Sequence, residues 1–186
     1  CITLIILFLS ILSINSLLFS NEHYTKCGFL NSIGNSDRND PPSYDAVHSS
    51  SNFKIFYTES ETTENFAIKA ADILENVRTD FINLGYNEAV YEANGKYHIY
   101  IIERTCGSYG INKPYNDGTE RTFIEIDNDF SNNNCGAGEP LYFTTGTKAQ
   151  KITLAHEFFH AVQRTYRQPT TLSSVFLFES TATWIE

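Results

Sequence analysis

The stretch "ITLAHEFFHAVQ", Ile152 to Gln163, decides the reading of this chain. It holds His156 and His160, two of five histidines, four residues apart, with Glu157 directly after the first. Ile152, Ala155, Phe159 and Val162 recur at helical spacing, so the segment predicts an amphipathic helix whose apolar stripe buries against a sheet. On a helix each residue advances about 100°. His156 and His160 therefore differ by about 40° and sit one turn apart, so both imidazoles reach one point. Glu157 lies about 60° from His160, where its carboxylate faces that point without having to occupy it.

This geometry is the reason that H-E-x-x-H binds a metal. Zinc takes neutral imidazole nitrogens and, in catalytic sites, keeps one position open for water. It lowers the pKa of that water, and a carboxylate placed as Glu157 is can accept the proton. Independent residues at ordinary frequencies would produce the pattern in roughly one chain of this length in 200. Here it also falls on a helix, in a chain that reads as exported.

A third protein ligand is needed. Gln163 and Tyr166 occupy the glycine and final histidine positions of H-E-x-x-H-x-x-G-x-x-H, which excludes that class. Glu179, in "FLFESTATWIE", follows His160 with 18 residues between them, the H-E-x-x-H-x18-E spacing. Glu186 lies seven residues on, about 20° away on the same helix face. It is a rival ligand, or a group for the surroundings of the metal or for a substrate amine. Gln163 either hydrogen-bonds a ligand, lines the cleft or is a partly solvated helix residue. Thr183, four residues after Glu179, is a candidate partner for the second nitrogen of a ligating histidine. Trp184 reads as core, and His98 as a buried, hydrogen-bonded strand residue. His23 and His48 carry no signal. Asp127, Asp129 and Asn132 offer calcium-type oxygens but lack the EF-hand glycine and closing glutamate, so a polar loop is the better reading.

Around this motif the chain divides in three. Residues 1–20 are apolar and uncharged, and read as a secretory signal or, if uncleaved, an N-terminal membrane anchor. Residues 21–52 read as an irregular polar arm. Residues 53–186 form the folded domain. Within it, 53–58 predicts a strand. Phe66, Ala70, Ile73, Val77, Phe81 and Leu84 line one face of a helix capped by Thr62 or Thr63 and ended at Gly85. "YHIYIIE" (97–103) is apolar on both parities, as in a central strand. "RTFIEIDND" (121–129) alternates with acidic residues on one side, which suits an edge strand. "LYFTT" (141–145) offers a short fourth strand. A helix follows from about Thr147 to Arg167, Pro169 breaks it, and a second helix starts near Leu172. The order gives an α+β fold with a small mixed sheet, a backing helix, the H-E-x-x-H helix and a glutamate-bearing helix.

Composition excludes some functions. The formal net charge is −9, and no two Lys or Arg residues are adjacent, so no nucleic-acid surface is expected. A membrane is expected only through the N-terminal apolar segment, if it is retained. Export makes the four cysteines readable. Cys1 falls in the signal, Cys106 and Cys135 flank a loop-rich region and are expected to pair, and Cys27 is left over. The chain begins at Cys1, contains no Met, and stops at "ATWIE" inside a helical pattern. The expectation is a catalytic part whose C-terminal subdomain is truncated.

Together, "KCG", the run ending "LGY", "YHIYII", "YG", "FIEIDNDF", "LAHEFFHAVQ" and "ESTATWIE" resemble the secreted H-E-x-x-H zinc metalloproteases of myxobacteria and related bacteria, over about Cys27 to Glu186. The resemblance implies a zincin-like (gluzincin) fold, zinc on His156, His160 and Glu179, and Glu157 as the base. It implies hydrolysis of peptide or protein substrates outside the cell. In such an enzyme the edge strand, here 122–127, pairs with the extended substrate. The spacing also fits aminopeptidases, although no glycine-rich exopeptidase motif is evident. The rival of another class is a surface binding or adhesion module on the same scaffold, against which the retained Glu157 argues.

Overall fold

The protein is described by a computed structural model over residues 40–167 and 172–185. The N-terminal apolar segment, Cys27, His23, Pro169 and Glu186 lie outside the described residues. The strands are β1 (Ala46–Ser49), β2 (Phe53–Tyr57), β3 (Tyr97–Ile102), β4 (Gly110–Pro114) and β5 (Thr122–Asp127), and the helices are α1 (Glu64–Asn83), α2 (Gly146–Arg164) and α3 (Leu172–Ile185). They form a mixed α+β fold on one five-stranded sheet, in the order β1-β2-β3-β5-β4. β3 pairs in parallel with β2 and β5, while β1 and β4 pair antiparallel at the two edges. The parallel β2–β3 pair needs a long crossover, which α1 supplies.

The helix α1 begins and ends on local chemistry. Thr63 is extended and its side chain accepts a hydrogen bond from the Phe66 N–H. At the other end Gly85 takes a φ of 86°, Tyr86 N–H donates to Phe81 O, and Gly85 N–H donates to Ile82 O. These are the paired bonds of a Schellman motif, closed by the Phe81–Tyr86 ring contact at 6.0 Å. Leu84, expected on the buried stripe, is 67% exposed because the chain has already turned away.

Strand parity sets the two faces of the sheet. Phe53, Ile55, Tyr97, Ile99, Ile101, Ile124 and Ile126 join the helices in the main core. Phe56, Tyr100 and Phe123 form a second, smaller cluster. β3 is therefore central and buried on both faces, as its sequence predicts. Phe158 joins α2 to the sheet, with its ring 5.2 Å from Phe53 and 5.4 Å from Tyr97.

Several elements differ from the sequence reading. Residues 46–49, read as part of the irregular arm, are a strand paired with β2, and His48 sits on it. Residues 122–127 are not the edge: β5 is interior, fully buried, and covered by β4, an unexpected strand. Its acidic residues mislead because their partners are remote. Glu125 is clamped by Arg104 at 3.0 Å and Lys113 at 2.8 Å. Residues 141–145 form no strand; they lead into the cap of α2 at Thr145. On α2, Leu154, Phe158 and Ala161 are buried with Phe159 and Val162, while Ile152 and Ala155 are only half-buried and line a groove against α1. Trp184 is not core; it is 80% exposed. The Cys106–Cys135 disulfide is formed. Among the described residues, no helix is long and apolar enough to cross a membrane.

Candidate metal centre

His156 and His160 lie one turn apart on α2, and α3 crosses so that Glu179 faces both. The two histidines are buried, and Glu179 is half-buried. His156 Nε2 and His160 Nε2 are 3.1 Å apart. One Glu179 oxygen is 3.3 Å from His156 Nε2 and the other is 3.5 Å from His160 Nε2. A tetrahedral ion with bonds of about 2.0–2.1 Å separates its ligand atoms by about 3.3–3.4 Å. The three side chains therefore fit such an ion in spacing and in donor chemistry, and they form a group able to hold one. Burial pushes His160 down to about 4, helped by the neighbouring His156 and opposed by Glu179. Its ring is thus neutral near pH 7, the form that binds metals.

The polar groups around this centre come from both helices. Gln163 Oε1 lies 2.7 Å from His160 Nδ1, and its Nε2 lies 3.0 Å from Phe178 O and 2.6 Å from Thr181 Oγ1. Gln163 thus fills the place beside a histidine for which Thr183 is the sequence candidate. Thr183 itself is exposed. Thr181 was not legible in advance, because its role depends on how α3 docks.

Glu157 is 1% exposed. Together with His156, Tyr109, Thr144 and Thr153 it lines a cavity of about 20 Å³. That is room for about one water molecule. The edge strand passes directly over it: a Cβ on Gly110 would fall 2.7 Å from Thr153 Cγ2 and 3.2 Å from Glu157 Cγ. Only glycine lets β4 approach α2 this closely. The isolated glycine in "YGINK" was the available sequence signal for that approach. Asn112, also on β4 and buried, donates to Tyr97 Oη at 2.8 Å and to the main-chain oxygen of Glu157 at 3.4 Å. Its own oxygen accepts from Arg164 Nε at 3.1 Å.

The main-chain bonds of β4 determine which groups point away from β5. Tyr109 O accepts from Asp127 N–H and Tyr115 N–H donates to Arg121 O. In an antiparallel ladder alternate residues point to the partner. Tyr109, Ile111, Lys113 and Tyr115 therefore face β5, and the backbone groups of Gly110 and Asn112 point away from it. Pro114 has no N–H to offer.

The calcium-type oxygens are otherwise engaged. Asp127 accepts from Phe130 N–H and Arg104 N–H, Asp129 from Ser131 N–H, and Asn132 from Tyr142 N–H, as in a loop folded on its own side chains. His98 bonds Tyr115 Oη and Asn94 on the far face of the sheet and has no part in the centre.

No family model, curated protein or solved structure matches the chain. The functional argument therefore rests on the residues and their arrangement.

Proposed function

We propose that the chain is the catalytic part of a secreted, zinc-dependent peptidase of the glutamate-zincin type. Its zinc ligands are His156, His160 and Glu179, and its general base is Glu157. One observation carries the reading: two imidazole Nε2 atoms and a carboxylate meet with 3.1, 3.3 and 3.5 Å between them, and a buried glutamate shares a water-sized cavity with one of the two histidines, His156. The resemblance to secreted myxobacterial metalloproteases points the same way. The disulfide supports an oxidising compartment.

Zinc, when bound, supplies Lewis-acid polarisation of a carbonyl and lowers the pKa of water. The rest falls to the protein. β4 replaces 122–127 as the edge strand, but Gly110, Ile111 and Asn112 on it are buried, so it presents no open edge to an extended peptide along that stretch. Glu157 accepts a proton from the attacking water and passes it to the leaving amine nitrogen. Burial of its carboxylate beside His156 keeps bulk water from competing for that proton.

The test is a pair of substitutions in the full protein. Glu157→Gln keeps the shape and the zinc ligands but removes the proton acceptor, so zinc content stays stoichiometric while casein hydrolysis falls on the order of 10²–10⁴-fold. His160→Ala loses the zinc itself. Unchanged turnover in Glu157→Gln would remove the general-base role. Stoichiometric zinc with no cleavage of a broad peptide library by wild type would turn the reading to the binding module.

A further inference from the structure

Gln163 has three polar contacts, and one of them fixes the other two. Phe178 O, 3.0 Å from one end of its amide, is a main-chain carbonyl and can only accept. The amide atom facing it must be the NH₂ group. Thr181 Oγ1 donates to Leu177 O at 2.7 Å, so toward Gln163 it too is an acceptor, matched by the second amide hydrogen. The atom 2.7 Å from His160 Nδ1 is then the amide oxygen, and Nδ1 must carry the hydrogen. In a neutral imidazole that leaves the lone pair on Nε2, the nitrogen aimed at His156 and Glu179. The same two N–H groups grip α3 at Phe178 and Thr181, on either side of Glu179.

The geometry points to Gln163 as a positioning residue that does two things with one amide. It sets the tautomer of His160, and it holds α3 in the register that brings Glu179 to the histidines. The inference rests on the zinc reading for its purpose but not for its first observable, since the tautomer exists in metal-free protein. An amide is required, because neither an acceptor alone nor a donor alone can satisfy a histidine N–H on one side and a carbonyl on the other. Glutamate at this position would still accept from His160 Nδ1, but it would set an anionic oxygen against Phe178 O.

The experiment uses the full protein labelled with ¹⁵N-histidine, freed of metal, and compares wild type, Gln163→Glu and Gln163→Ala. Long-range ¹H–¹⁵N spectra report which imidazole nitrogen is protonated. Zinc affinity is then measured by competition with a chelating dye. Wild type is expected to show His160 as the Nδ1–H form. Gln163→Ala is expected to show a mixture with the Nε2–H form and zinc binding 10–100-fold weaker. Gln163→Glu, which keeps the side-chain size, is expected to retain the Nδ1–H form yet still bind zinc more weakly, because only the α3 grip is lost. This split separates the two roles, and general damage to the fold would not produce it. An Nε2–H form in wild type, or full zinc affinity in both variants, overturns the proposal. A wild type with the Nδ1–H form that binds no zinc supports the amide's role while defeating the zinc reading, so the two failures are distinguishable.

Discussion

Gly110→Ala tests the tightest glycine contact among the described residues, between the edge strand β4 and the helix α2. The new methyl would sit 2.7 Å from Thr153 Cγ2, 3.1 Å from Glu125 O and 3.2 Å from Glu157 Cγ. Carbon atoms in ordinary contact are about 3.5–4.0 Å apart, so the first of these is nearly 1 Å too short. Gly110 is buried, and one of the three neighbours is backbone, so the strand has little room to yield. Overpacking of this kind costs about 1–3 kcal/mol. Alanine recovers about 0.4–1 kcal/mol by restricting the unfolded chain. The net loss is about 1–2 kcal/mol.

Thr153→Ser removes the methyl that causes the worst contact. Alone it should cost about 1 kcal/mol for a lost buried methyl. Combined with Gly110→Ala it should cost less than the sum of the two, with a coupling of about 0.5–2 kcal/mol. Urea denaturation of the four proteins gives these values if the slope m is unchanged. On the proposed peptidase function, Gly110→Ala should also slow hydrolysis on the order of 10-fold without loss of zinc, because Glu157 is pushed from its place. A stability equal to wild type, or coupling below about 0.5 kcal/mol, would refute the claim that glycine is needed for this packing.

Other outcomes follow from the core and the loops. Phe158→Ala, which empties the space between α2, Phe53, Tyr97 and Phe81, should cost about 3–5 kcal/mol by denaturant titration. Replacing both Cys106 and Cys135 by serine opens a loop with a sequence separation of 29 and should cost about 3–4 kcal/mol, read as a lower midpoint that reduction of the double variant no longer changes. His98 is held down to about 4 by burial and by the charges of Lys54 and Arg121. Its folded pKa lies below the unfolded value, so its contribution is complete above about pH 6.5 and is lost as pH falls toward 4. Between pH 7 and pH 5, wild type should therefore lose about 1 kcal/mol more than His98→Gln, once solvent screening is allowed for. Equal losses would rule this out.

What could be read from the sequence was what depends on near neighbours. His156, Glu157 and His160 share a helix turn, so their relation needs no tertiary information. The cap at Thr63 and the stop at Gly85 are equally local. The position of β5 was not legible. Glu125 looked like a solvent-facing charge because Arg104 and Lys113, which pair with it, come from other segments, while Asp127 is held by the N–H groups of Phe130 in the turn that follows it and of Arg104. β4 was missed for a related reason: "GINKP" is short, begins with glycine and ends with proline, and has strand identity only through β5.

The helix α3 shows how a polar side chain resolves an ambiguity that hydrophobicity cannot. Phe176, Leu177 and Trp184 are its bulkiest exposed residues, at 70, 61 and 80%, while Val175 and Ala182 are buried. Ranking by apolar size would have turned the opposite face inward, which is why Trp184 read as core. Placed on a helix, Val175 and Ala182 lie within about 60° of Glu179, whereas Trp184 and Leu177 lie more than about 130° from it; Phe176, about 60° away on the side opposite Val175 and Ala182, is exposed. The face presented to α2 is therefore the one that carries the carboxylate, with small side chains beside it that permit close approach. Gln163 reads that face at Phe178 and Thr181. A rotation of α3 that buried Trp184 would gain apolar contact. It would also carry Glu179 away from two buried histidines and take the half-buried Gln163 amide from its acceptors Phe178 O and Thr181 Oγ1. The docking of α3 thus keeps Glu179 and the Gln163 contacts at the centre and leaves Trp184 and Leu177 exposed.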